Sequence, residues 1–194
     1  MTAFNALPPV PSISGPTWRE EWHRRVEAME PWLLRWLREQ TDGDYWRQGS
    51  LRSATKGPGS DLGYERIECP TMLVAGWADG YRNNSLRTFE RLRGPKSLLL
   101  GPWSHMSTAN SLPGPHLDLV PEMIVWWNRW LRGVDNGIDR RPPIRVFVRH
   151  ATRPEPDLVQ HAGEWRYEPQ WPPDRLQTVT LRPDAGGVAT VLPR

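Results

Sequence analysis

Two residues of this chain have side chains and settings suited to moving a proton: Asp79, in GWADGY, and His105, in GPWSHM. A carboxylate set against an imidazole fixes the tautomer and holds the ring, leaving the far ring nitrogen to take a proton from a hydroxyl and return it later. Neither residue carries this chemistry alone. Asp-Gly is an ordinary turn pair, and a single histidine after a strand is as well explained by hydrogen bonding to its surroundings. What singles the two out is that each follows a separate strand-like run, beside Trp and Gly.

Those runs are TMLVAGW and SLLLGPW, short and continuously apolar, the pattern of strands buried on both faces. Between them NNSLRTFERLRG places Leu86, Phe89 and Leu92 on one helical stripe, with Gly94 past its end. Strand, helix, strand is the repeating unit of a parallel sheet. Functional groups collect beyond the carboxyl ends of such strands, and neighbouring strands lie about 4.8 Å apart. Loops leaving two nearby strands therefore bring a carboxylate to an imidazole. The order acid then histidine is the order found after the nucleophile in α/β-hydrolases.

The flanking segments have different characters. Residues 1–16 carry four prolines and read as an irregular lead-in. TWREEWHRRVEAME then has Thr17 and Glu20 as a candidate capping box, with Trp18, Trp22, Val26 and Met29 at helical spacing. Pro31 ends that helix and opens PWLLRWLREQ. After the histidine, LDLVPEMIVWWNRWLRG predicts a helix with Ile124, Trp127 and Leu131 on its stripe and Gly133 closing it. PPIRVFVRH, GEWRYEPQWPP and LQTVTLRPD are short, β-rich and separated by Pro and Gly, the pattern that opens an all-β module. The expected organisation is a helical segment over 1–66, a piece of α/β sheet over 67–136 and the first strands of a β-sandwich over 137–194. Two parallel strands are too few for a stable sheet, so the chain reads as part of something larger.

Composition narrows the function. The net charge is +3 with a pI near 9.4, and the arginines are scattered rather than gathered on one face, which argues against a nucleic-acid partner. No apolar run approaches a membrane span, and the N-terminus lacks the charged and apolar regions of a secretory leader. The single cysteine, Cys69, suits a reducing, cytoplasmic setting and reads as a small buried hydrophobe at a strand start. Asp79, His105 and His116 do not have the spacing of a metal motif. No phosphate-cradling glycine loop is present, so no cofactor is expected. His23, His150 and His161 read as solvated. Twelve tryptophans imply a substantial packed core or a ligand cleft. Trp77, Tyr81 and Trp103 flank the Asp79–His105 region and are candidate walls of a substrate pocket, with core packing as the competing reading.

From Asn5 to about Gly187 the sequence resembles the serine acyl hydrolases of the cocaine-esterase and X-Pro dipeptidyl-peptidase group. The resemblance is carried by PTWREEWHRRVEAMEPWLLRWLREQTDGDYWRQGS, IECPTMLVAGWADGYRNNSLRTF, GPWSHM, WWNRWLRGVDNGI and PPIRVFVRHA with GEWRYEPQWPP, in matching order. It implies an α/β-hydrolase core, a helical cap and a C-terminal jelly roll. It places the triad acid on Asp79 and the triad base on His105, and sets Asp44, Tyr45 and Trp46 in a cap segment facing the site entrance. The substrates implied are small acyl esters, amides or short X-Pro peptides. The family nucleophile sits in a G-x-S-x-G elbow, and no such motif occurs in this sequence. Ser60 in GSDLG is in the wrong place, and Ser104 lies in the histidine loop, where local hydrogen bonding is its expected role. The expectation is a C-terminal portion of a serine hydrolase, inactive without a further segment or chain that brings the serine and the oxyanion donors. The rival expectation is a truncated, non-catalytic binding or structural module. A carbohydrate-recognition reading of the β-rich end, motivated by Trp165 and Trp171, lacks a complete sandwich in 140–194.

Overall fold

The computed structural model describes residues 7–51, 63–177, 179–183 and 189–192. Ser60 lies outside them. The chain divides into two compact units, Met1–Gly63 and Tyr64–Arg194.

The first unit is helical: α1 (Pro11–Ser14), α2 (Trp18–Ala28), α3 (Trp32–Arg38) and α4 (Asp44–Gln48). α2 starts where the sequence predicts, but Thr17 makes no side-chain capping bond; it ends a 3₁₀ turn over Gly15–Thr17 that leads directly into the helix. None of the four helices has a buried residue. Local contacts hold the unit together: Trp18 stacks on Trp22, Trp36 donates its indole N–H to the Tyr45 hydroxyl, and Trp46 donates to the Glu39 carbonyl. Trp32, Leu33, Leu34 and Leu37 of α3 stay exposed.

The second unit is built on a four-stranded sheet in the order β1 (Thr71–Gly76), β2 (Lys96–Gly101), β3 (Ile144–Arg149), β4 (Gly163–Glu168). β1 and β2 are parallel and in register from Thr71 opposite Lys96 to Gly76 opposite Gly101. β2 and β3 are also parallel, and β4 returns antiparallel to β3. The β-rich segment after residue 140 thus does not begin apart from the α/β piece: its first two strands extend the same sheet. The reason is visible in β3, where Ile144 and Val146 are buried on one face and Phe147 on the other. Such a strand needs cover on both sides, and a central place in a parallel sheet supplies it. A separate two-stranded antiparallel sheet pairs β5 (Thr180–Pro183) with β6 (Ala189–Leu192).

Helices lie on both faces. α5 (Arg82–Arg91) crosses from β1 to β2 and buries Phe89 against Ala75, Leu98, Leu100, Ile144 and Val146. α6 (Val120–Arg132) covers the opposite face, tied to β3 by an Arg145–Glu122 ion pair at 2.9 Å. Pro121 sits in its first turn and Gly133, at φ 69°, closes it in the left-handed conformation that favours glycine. The predicted stripe of α6 is reversed, however. Trp126 is the buried residue, while Ile124, Trp127 and Leu131 point to solvent. WWNRWLR offers two apolar faces, and spacing alone does not choose between them. Cys69 is likewise exposed rather than buried; it precedes an edge strand that has a neighbour on one side only among the described residues.

Candidate active site

β1 and β2 end level, at Gly76 and Gly101, and the chain beyond each end is fastened to the other. Trp77 donates its backbone N–H to the Gly101 carbonyl at 2.9 Å, and Ala78 donates to Trp103 O at 3.0 Å. The crossing is close because Gly76 has no side chain: a Cβ there would lie 2.6 Å from the Trp103 carbonyl carbon. Asp79 follows in a tight turn, its N–H on Gly76 O at 3.0 Å. Its Oδ1 accepts the Tyr81 N–H at 2.8 Å, an Asx turn that fixes the carboxylate without help from any other strand.

His105 meets that carboxylate from the second loop, with Nδ1 2.9 Å from Asp79 Oδ2. An ionised carboxylate only accepts, so Nδ1 carries the proton and Nε2 is left as the acceptor. The two side chains differ sharply in exposure: Asp79 is 15% exposed and His105 is 73% exposed. The Tyr81 N–H above all, and then the His105 hydrogen bond, hold the Asp79 carboxyl below its ordinary range, against a smaller opposing effect of burial. The acid therefore stays ionised at neutral pH and keeps the orientation of the ring.

The histidine loop is held by a serine that the sequence reading missed. Ser111, 1% exposed, accepts the Ser104 backbone N–H at 2.9 Å and shares a hydrogen bond with the Ser104 hydroxyl at 2.8 Å. The Ser104 N–H also reaches Leu112 O at 3.2 Å. Trp103 anchors the start of the loop by donating its indole N–H to Pro115 O at 2.8 Å. Nothing in the spacing of Ser111 announced this; a serine two residues before a proline-rich turn has no signature of burial. The cleft beside the pair has a volume of about 260 Å³ and is lined by Gly76, Asp79, Trp103, His105, Met106 and Thr108 among others.

The family model of the X-Pro dipeptidyl-peptidase (S15 family) matches residues 14–107, a span that takes in both Asp79 and His105. The cocaine esterase of a Rhodococcus species is 27% identical over 161 residues, 76% of this chain and 25% of the relative. The chain fits the cocaine-esterase and X-Pro dipeptidyl-peptidase group. A crystal structure of a CocE/NonD family hydrolase from Staphylococcus aureus superposes with a TM-score of 0.56 at 13% identity, covering 78% of this chain and 23% of that one. At that identity the likeness is one of fold. This chain spans about a quarter of the length of the Rhodococcus relative.

Against that group, the aromatic residues singled out in the sequence part company. Tyr81 stands at the dyad, its ring edge-on to His105 with centroids 5.3 Å apart, and is 63% exposed. Trp103 is buried to 1% exposure and acts through packing and its bond to Pro115. Trp77 does not line the cleft at the dyad: its indole N–H reaches over to Phe147 O at 2.7 Å, and its ring lies on the α5 side with the core. Trp46 belongs to the helical unit, where it packs on Trp36 and Tyr45. Among the described residues, no group of three or more His, Cys, Asp or Glu is placed to hold a metal ion. No described helix is long and apolar enough to cross a membrane.

Proposed function

We propose that this chain supplies the acid and base of a Ser-His-Asp triad for hydrolysis of small acyl esters, amides or X-Pro peptides. Asp79 orients the ring and balances its charge; His105 Nε2 takes the proton of a serine hydroxyl and passes it to the leaving group. The single observation that carries this reading is the 2.9 Å contact between His105 Nδ1 and Asp79 Oδ2, beyond the carboxyl ends of two paired parallel strands. Tyr81, edge-on to His105, is the substrate-facing aromatic in this proposal. Because the sequence has no G-x-S-x-G elbow, the nucleophile and oxyanion donors come from another segment or chain, and the 194 residues by themselves are inactive. The chain beyond β4 leads, in this reading, into a jelly roll, with the helices before residue 66 as part of a cap. A lone cysteine supports a cytoplasmic setting.

The test is a chimera in which this chain replaces the matching part of the Rhodococcus cocaine esterase. It is expected to hydrolyse p-nitrophenyl acetate, whereas this chain alone does no better than free imidazole. His105→Ala in the chimera should cost about 10²–10⁴-fold in kcat, the worth of a positioned general base. A chimera indifferent to His105→Ala would refute the assignment. So would turnover by the isolated chain that a serine-directed phosphonate abolishes.

A further inference from the structure

A second cleft lies among the ends of β3 and β4 and the loop that follows β4. It shares no lining residue with the dyad cleft and has a volume of about 360 Å³. Its walls are aromatic. Trp77 and Trp171 are both only partly buried, with ring centroids 6.4 Å apart and planes inclined by 48°. Leu176, at the edge, is 56% exposed. Trp77 is rigid there, because its indole N–H is tied to Phe147 O at 2.7 Å.

The rim is cationic, with three guanidinium groups lining the cleft: Arg149, Arg166 and Arg175. Two of them are neutralised. Arg175 engages both oxygens of Glu168, and Arg166 is paired with Glu164. Glu168 is thereby spent as an acceptor and offers little repulsion to a second anion. Arg149 is different. Its guanidinium carbon lies 5.9 Å from the Trp77 ring centroid, and it has no carboxylate partner among the described residues. A planar fork of donors beside two partly buried indole rings matches one chemical shape: a flat ring bearing a carboxylate. The ring gains area and π contact on the tilted indoles, and the carboxylate takes the paired N–H groups of arginine.

We propose that this cleft binds a small planar aromatic carboxylate, with the ring against Trp77 and Trp171 and the carboxylate on Arg149. The site is independent of the hydrolase reading, since neither Asp79 nor His105 takes part.

The test titrates 2-naphthoate into the full chain, read by calorimetry and by the shift of the Trp77 indole N–H resonance. Saturable one-to-one binding is expected, with the dissociation constant below roughly 10 mM. Arg149→Gln should weaken it about tenfold or more, as the loss of a charge-assisted hydrogen bond does, and 2-naphthamide should bind weaker than 2-naphthoate by a similar factor. Arg149 is exposed, so the variant keeps its fold, which circular dichroism verifies. Trp171→Ala should weaken both ligands together. The proposal is overturned if naphthoate does not saturate, if Arg149→Gln binds like the parent, or if the uncharged amide binds as tightly as the acid.

Discussion

Gly76→Ala is the sharpest probe of how the dyad is assembled. The added Cβ would stand 2.6 Å from the Trp103 carbonyl carbon and nearer still to its oxygen, where ordinary contact begins at 3.4 Å. The obstacle is backbone on both sides, so no side chain can swing away; the two loops must part by at least about 0.8 Å. That displacement carries Ala78 N to Trp103 O from 3.0 Å and His105 Nδ1 to Asp79 Oδ2 from 2.9 Å out of hydrogen-bonding range. Two bonds at about 0.5–1.5 kcal/mol each, added to an overpacking cost of about 1–3 kcal/mol, give a destabilisation of about 2–6 kcal/mol. For a chain of this size that is a fall in Tm of about 4–24 °C. Gly80→Ala is the control: the same substitution, four residues on, meets nothing within 4 Å and should change stability by no more than about 0.5 kcal/mol. Thermal unfolding followed by circular dichroism measures both, and the imidazole resonances of His105 report whether the carboxylate contact survives. If Gly76→Ala melts with the parent and retains that contact, the close crossing of the loops does not set the site, and the geometric argument fails.

Ser111→Ala should cost about 1–2 kcal/mol, the loss of buried hydrogen bonds to the Ser104 N–H and hydroxyl, and should speed amide exchange at Ser104. Urea unfolding unchanged within error would mean that Leu112 O alone holds the loop. The acid limb of stability is set in part by Asp79 and Glu168, whose carboxyls are held below their ordinary range by Tyr81 N–H with His105 and by Arg175 respectively. A carboxyl depressed on folding stabilises fully above its unfolded pKa, about 4, and that contribution is lost as pH falls through the lower folded value. Urea midpoints should therefore drop below about pH 4, less steeply in Asp79→Asn; a variant profile parallel to the parent would show that the carboxylate is not engaged.

How much of this was legible in the sequence depends on what each element needed. TMLVAG and SLLLG declared themselves as strands because a short continuous apolar run leaves one pattern, and Asp79 and His105 were legible because they follow those strands. The burial expected on both faces holds for the last four residues of β2 but not for β1, an edge strand among the described residues that leaves Val74 exposed. The Leu86–Phe89–Leu92 stripe was readable for the same reason: one apolar face, one side to bury. α6 defeats that logic, since Trp126 and Trp127 are neighbours and either could face the sheet. IRVFVR was legible as a strand but not as a partner of β2, because pairing is a long-range choice that local spacing does not encode. Trp77 was drawn toward the site by adjacency, whereas its indole N–H binds the carbonyl of Phe147, far along the chain. Trp103 does line the cleft beside the pair, but its burial and its bond to Pro115 O come from packing that local spacing does not show. Ser111 was invisible because only the closed loop makes it buried.

The contrast in exposure between Asp79 and His105 bears on the proposed triad. Every group that fixes Asp79 is in the chain's own second unit: the Tyr81 N–H, the His105 ring and the crossed backbones at Gly76 and Trp103. His105 Nε2 faces outward from a ring that is 73% exposed. Among the described residues, the acid and the ring nitrogen it holds are thus fixed by contacts within this unit, and the far face of the ring is open. On the proposed assignment, a serine brought to that face would meet a base already in its working tautomer, and the orientation of the ring would add nothing to the cost of assembly. In the chimera the Asp79–His105 resonances should then match those of the isolated chain, while water is excluded from Nε2 alone. If joining the two parts instead moved the aspartate contact, the dyad would be a product of assembly and not of this fold.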